Sequence, residues 1–137
     1  MGEALGYMKN LRNQDKIQLS SCETWTEDGI VRVLMTAEIC TEEMSRADGA
    51  EVMKKLYELE GPRLLLVDYG SMKKEEIGSR KYHSSDPEFT ASYDRVALIV
   101  SNPVHRVIGS FFMGINKTIK PSRIFNSAEK AIAWLKE

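Results

Sequence analysis

The sequence predicts an α/β fold: a mixed, mostly parallel sheet of four to five strands, opened by an antiparallel hairpin, with helices mainly on one face. Three observations predict it. Arg95 to Glu137 reads without a break as strand, helix, strand, helix, each with its own start and stop signals. A helical segment lies between the apolar runs IVRVLM and RLLLV, the pattern of a crossover between parallel strands. Two β-rich runs are divided by Glu27, Asp28 and Gly29, and an Asp-Gly pair in that setting is the strongest short hairpin signal.

Taken in order, residues 1–15 are polar and weakly patterned, and are expected to form a partly disordered lead-in or a short helix. Residues 16–137 are expected to form one domain, opening with the hairpin KIQLSSCETWTEDGIVRVLMTAEI. From Thr41 the period becomes helical: Thr41 or Ser45 caps, Val52, Leu56 and Leu59 mark the inward stripe, and Gly61-Pro62 stops it. RLLLVDY follows as a buried strand. Ser71 to Ser84 reads as a weaker helix with Ile77 and Tyr82 as its apolar residues and Gly78 in its middle, and Asp86-Pro87 opens a short turn. RVALIVSN is a strand, after which Asn102 serves as N-cap and Pro103 as first helical residue, with Val104, Val107, Ile108, Phe111 and Ile115 as the inward stripe. A short strand and a last helix with Ala128, Ala131, Ile132 and Leu135 at i, i+3, i+4, i+7 close the chain.

Composition limits the function classes. The 137 residues are 42% hydrophobic, enough for one core. The net charge of −1 comes from 19 basic and 20 acidic residues spread along the chain, so no block neutralises many phosphates and nucleic acid is not an expected partner. LLLV and VALIV fall far short of the roughly 20 residues of a membrane span, and the first residues lack a signal peptide's apolar centre; a cytoplasmic location is expected, with no integral membrane segment. Cys22 and Cys40 lie 18 positions apart without CxxC spacing, and only His83 and His105 stand beside them as soft ligands, so both thiols read as reduced, partly buried strand residues and no metal is expected. Gly-rich phosphate loops are absent and no cofactor is expected.

The run DRVALIVSNPVHRVIGSFFMGINKTIKPSRIFNSAEKAIAWLKE resembles the C-terminal signature of the SpoIIAA-like family, whose members share the STAS-type fold and are architecturally related to CRAL-TRIO lipid-binding domains. The resemblance implies a small sheet covered mainly on one face and a non-enzymatic regulatory or ligand-binding role, acting through a protein partner, self-association or a small apolar or anionic ligand. STAS anti-anti-sigma factors carry a phosphorylatable serine in a D-S-S-G type turn. This chain reads DYGSMKKEEIGSR there and lacks that motif, so no phosphoserine is carried over.

In an open parallel sheet, ligands bind beyond the carboxyl ends of the strands. Two such ends hold polar residues: Asp68, Tyr69 and Ser71 after LLLV, and Ser101, Asn102, His105 and Arg106 after VALIV. His105 and Arg106 fall in a helix's first turn, where unpaired N–H groups and partial positive charge favour an anion; the plain alternative is an ordinary helix cap. Asp68 suits a loop carboxylate bonding backbone two residues on. A small hydrolase or transferase drawn from Asp68, Ser101, His105 and Arg106 is the competing function, although no serine sits in a G-x-S-x-G elbow and no catalytic residue is assigned. The paired acids Glu75-Glu76 read as solvated, with Glu76 and Arg80 as an i,i+4 pair. Taking about 100° per residue from Val104, Phe112 lies about 80° from the inward direction and Met113 opposite it. Gly109, Phe112 and Met113 are therefore the expected outward patch, a surface for homodimerisation or for an apolar ligand.

Overall fold

The computed structural model describes residues 16–116 and 119–137; the lead-in expected at residues 1–15 lies outside them. The elements are β1 (Ile17–Gln18), β2 (Cys22–Glu27), β3 (Ile30–Met35), β4 (Ile39–Cys40), α1 (Glu42–Tyr57), β5 (Leu64–Asp68), β6 (Lys74–Glu75), α2 (Ile77–Ser85), α3 (Pro87–Ala91), β7 (Arg95–Ile99), α4 (Pro103–Asn116), β8 (Ser122–Phe125) and α5 (Ala128–Leu135). The main sheet has six strands in the order β1-β2-β3-β5-β7-β8, and β4 and β6 form a separate two-stranded ribbon. β1, β2 and β3 are antiparallel; β3, β5, β7 and β8 are parallel. The hairpin turns at Asp28 and Gly29, whose φ of 56° and 74° supply the two left-handed residues that a two-residue turn of matching twist requires.

Side chains alternate between two layers. Val31, Leu65 and Val96 stand side by side across three strands and pack with Val52 and Leu56 of α1, Tyr82 of α2, and Ile108 and Phe112 of α4. Ile30, Leu64, Leu66, Ala97 and Ile99 point the other way, onto Ala131 and Leu135 of α5. Three long connections therefore share one face, and α5 alone among the described helices covers the other.

Local chemistry sets the ends. Thr41 caps α1 by accepting from the Met44 N–H at 3.2 Å, Asp86 caps α3 through the Phe89 N–H at 3.1 Å, and Asn102 caps α4 through the His105 N–H at 2.9 Å. Asp48, on the inward face of α1, accepts from the Ser21 N–H at 2.8 Å and from both serine hydroxyls of Ser20 and Ser21, tying the β1–β2 turn to the helix.

Four sequence expectations are corrected. The segment expected to be helical from Ser71 is a turn and the β6 strand, with α2 starting only at Ile77, because Lys74 and Glu75 pair with Ile39 and Cys40. Glu75 is buried rather than solvated: its Oε2 accepts from the Ser79 hydroxyl at 2.9 Å and meets His83 Nδ1 at 3.0 Å. Glu76 does not pair with Arg80 but accepts from the Glu42 N–H at 2.9 Å, joining the starts of α1 and α2.

The fourth correction concerns the facing of α4. Among its residues of described burial, His105, Ile108, Gly109 and Phe112 are buried, while Val104, Val107 and Phe111 are 48, 65 and 39% exposed. Apolar side chains occupy most of the helix circumference, and two features absent from a hydrophobicity count select the rotation. His105 is drawn inward by hydrogen bonds, and Gly109 allows close approach to β8, where an added Cβ would lie 3.1 Å from Ile124 Cδ1.

Candidate functional site

The strand-end loops after β5 and β7 meet, but they close on each other. Asp68 Oδ1 accepts from the Gly70 N–H at 2.9 Å. Gly70 has φ +45°, and a Cβ there would lie 2.4 Å from the Met35 carbonyl oxygen, so this tight turn needs glycine. Tyr69 is buried, and burial raises its phenol well above the ordinary value. Its ring stands edge-on to His105 at 5.6 Å.

His105 is fully buried, and its two nitrogens have opposite partners. The Met72 carbonyl, 2.8 Å from Nε2, can only accept, so Nε2 carries the hydrogen; the Ser101 N–H, 3.3 Å from Nδ1, can only donate, so Nδ1 is bare. The result is a neutral imidazole bridging the two loops. Ser101 Oγ also lies 3.3 Å from Nδ1, sharing that lone pair with its own backbone N–H. Asp68 is engaged at Gly70, and no carboxylate orients the imidazole, whose other nitrogen is spent on a carbonyl. Ser71, Ser101, Asn102 and Arg106 are exposed. A crevice of this kind needs neighbouring connections on opposite faces of the sheet; here α2 and α4 lie on the same face and their loops pack together.

The described residues enclose a cavity of about 60 Å³ elsewhere, between the sheet and helices α1, α2 and α4. Its chamber is apolar, with Leu65, Val96 and Leu98 from the sheet and Ile108 and Phe112 from α4. Asp48, Glu75, Arg80 and His83 add charge or polarity to its lining. Glu75 belongs to a buried chain of contacts: Ser79 Oγ also meets Ser45 Oγ at 2.7 Å, which lies 3.1 Å from Cys40 Sγ. Burial raises the Cys40 thiol, and burial with the Asp48 charge pushes Cys22 up to about 12, so both thiols stay protonated near neutrality. Arg80 differs from the other charged groups of the lining. Its Nε is buried without a hydrogen-bond partner and its guanidinium lies 5.4 Å over the Phe111 ring. Among the described residues, no group of His, Cys, Asp and Glu is arranged to hold a metal ion.

Sequence reasoning missed this cavity, although a trace of it is visible. Glu75, Ser79 and His83 recur at intervals of four, and Ser45 and Asp48 occupy inward positions on the same stripe as Val52 and Leu56. Polar residues at core spacing are the signal.

The outer surface of α2 and α4 is both apolar and basic. Val104, Val107 and Phe111 form an exposed stripe at i, i+3, i+7, and Ile77, one turn before Arg80, is 67% exposed. Neither helix contains a carboxylate, whereas together they carry Arg80, Lys81 and Arg106. Gly109 and Phe112, expected outward, are part of the core, and Met113 is half-buried against it.

A six-stranded, mostly parallel sheet opened by an antiparallel hairpin, with its crossover helices on one face, is a STAS/SpoIIAA-like fold. The fold matches an uncharacterised protein of the DUF3478 family with a SpoIIAA-like fold from Shewanella loihica PV-4, with TM-score 0.56 and 12% identity over 84% of this chain and 92% of that one. It also matches the murine solute carrier 26 family member A9 anion transporter, with TM-score 0.58 and 15% identity over 98% of this chain but 25% of the transporter. At those identities the likeness is one of fold. By sequence, the chain belongs to the DUF7793 family, a domain of unknown function, whose model matches residues 24–137. No curated protein matches the sequence. Among the described residues, no helix is long and apolar enough to cross a membrane.

Proposed function

We propose that the protein is a non-enzymatic STAS-like interaction module whose working surface is the outer face of α2 and α4, and that its partner is a protein segment carrying acidic side chains beside apolar ones. The observation that carries this reading is the exposed stripe Val104, Val107 and Phe111 on α4, beside α2, the two helices together holding three cationic side chains and no carboxylate. Apolar area supplies association energy, and the basic rim selects an acidic partner. A second copy of this chain docked face to face would set Arg80, Lys81 and Arg106 against their equals, which disfavours self-association through this surface. The small hydrolase or transferase is the weaker reading: His105 has both nitrogens engaged, and Asp68 is spent on a turn.

Selection from a displayed peptide library on the purified protein tests this. Enriched peptides are expected to carry Asp or Glu beside apolar residues at helical spacing, to bind one to one, and to weaken as salt rises. Val107→Asp, at a 65% exposed position where folding is not at stake, is expected to lower their affinity at least about tenfold. Peptides without acidic bias, equal binding by the variant, or equal binding to phosphatidylserine vesicles would each overturn the assignment.

A further inference from the structure

The cavity beneath this face carries a separate inference. Most of its lining is buried, but Phe111 is 39% exposed and the His83 side chain 27%, and both stand with Arg80 where α2 and α4 approach each other. The mouth therefore lies between these helices, framed by Arg80, His83 and Phe111. Inside, the walls are aliphatic and aromatic and offer an apolar group a dry enclosure.

The charges of the lining decide the sign of the ligand. Asp48 is satisfied by Ser20 and Ser21, and Glu75 by Ser79 and His83. Neither needs a cation. Arg80 is the charged lining group that retains a buried nitrogen without a partner, and no carboxylate comes within ion-pair distance of it among the described residues. A buried donor left unmatched is costly, and a planar guanidinium is best matched by a carboxylate.

We propose that this cavity is a binding site for a small amphipathic monocarboxylate, with the carboxylate on Arg80 at the mouth and the tail against Leu98, Ile108 and Phe112. The size follows from the volume. A cavity of about 150 Å³ takes benzene, so about 60 Å³ accommodates a tail of roughly two or three carbons, and a longer chain gains no further enclosure while its carboxylate stays on Arg80.

Titration of the isolated protein with butyrate, followed by methyl NMR and thermal denaturation, tests the site without any partner protein. Saturable shifts are expected at Leu65, Val96, Leu98 and Ile108. Affinity is expected to rise from acetate to butyrate and then level off. Butyramide, the neutral isostere, and the Arg80→Gln variant are each expected to bind at least about tenfold more weakly, the loss of one charge-assisted contact. Arg80→Gln removes a costly unmatched donor together with its contact over Phe111, two opposing effects of similar size, so its melting temperature without ligand should stay close to wild type. Val96→Ile narrows the chamber while leaving Arg80 intact, and is expected to weaken butyrate without restoring butyramide. No saturable shift in wild type up to about 50 mM butyrate would overturn the proposal, as would equal binding of butyrate and butyramide or full affinity in Arg80→Gln. Val107→Asp, which disables the outer face, should leave butyrate binding unchanged, so the two readings fail independently.

Discussion

Gly49 admits nothing larger than hydrogen, because α1 and α2 cross there: a Cβ would lie 2.1 Å from the Tyr82 hydroxyl oxygen and 2.8 Å from two of its ring atoms. In an exposed helix interior, glycine to alanine stabilises by about 1 kcal/mol. Here the helices must part, and Gly49→Ala is expected to cost about 1–3 kcal/mol in urea denaturation. Adding Tyr82→Phe removes the nearest atom and should restore part of the loss; a stabilised Gly49→Ala protein would contradict this crossing. Residues whose role is local were legible in the sequence. Asn102 and Asp68 act on backbone two or three residues away, as their types predict. Glu75 and His105 were not legible in this way. Glu75 answers to His83, eight positions on, and His105 to Met72, 33 positions back, and only tertiary structure brings these partners into reach.

Among the elements, α5 was read correctly and α4 was rotated, and the difference lies in how much of each helix is apolar. On α5 the buried Ala131 and Leu135, flanked by Ile132 and Trp134, form one stripe against one apolar sheet layer. Trp134 also packs its ring, tilted, against Phe125, with centroids 5.8 Å apart, and its carbonyl accepts from Arg95 at 3.0 Å. On α4 two stripes compete, and the stronger by hydrophobicity is the one left exposed. The two-residue strands β4 and β6 are too short to show any period at all. Because α5 alone among the described helices covers its layer, deleting residues 128–137 exposes Leu64, Leu66 and Ile99 as well as losing its own side chains. At about 2 kcal/mol per large buried side chain, against a total of about 5–15, the truncated chain is expected to lose cooperative thermal unfolding. A transition persisting near the full-length midpoint would show that α5 is an appendage.

At the scale of the whole molecule, the class, the crossover order and the hairpin were legible because each rests on contiguous pattern. The side of the sheet taken by each connection was not, and that choice closes the expected crevice while opening a cavity between α1, α2 and α4. The same choice concentrates acidic hydrogens in one layer. Cys22 of β2, Tyr69 after β5 and Tyr82 of α2 all lie on the helix-covered side. Burial comes first among the causes that raise all three, with Cys22 and Tyr82 pushed up to about 12 and the nearby carboxylates of Asp48 and Asp86 adding to it. In the unfolded chain these groups release their protons near their ordinary values of about 8.5 and 10. Between those values and about 12 the native state therefore holds more protons than the unfolded state, so stability is full below about pH 8.5 and falls as pH rises. Tyr82 alone contributes on the order of 2 kcal/mol to the decline. Urea denaturation at pH 7, 9, 10 and 11 is expected to show the fall beginning above pH 8.5 and steepening above 10, with Tyr82→Phe declining less steeply above pH 10. Unchanged stability up to pH 11, or the same slope in Tyr82→Phe, would mean that these groups are open to solvent in the native state.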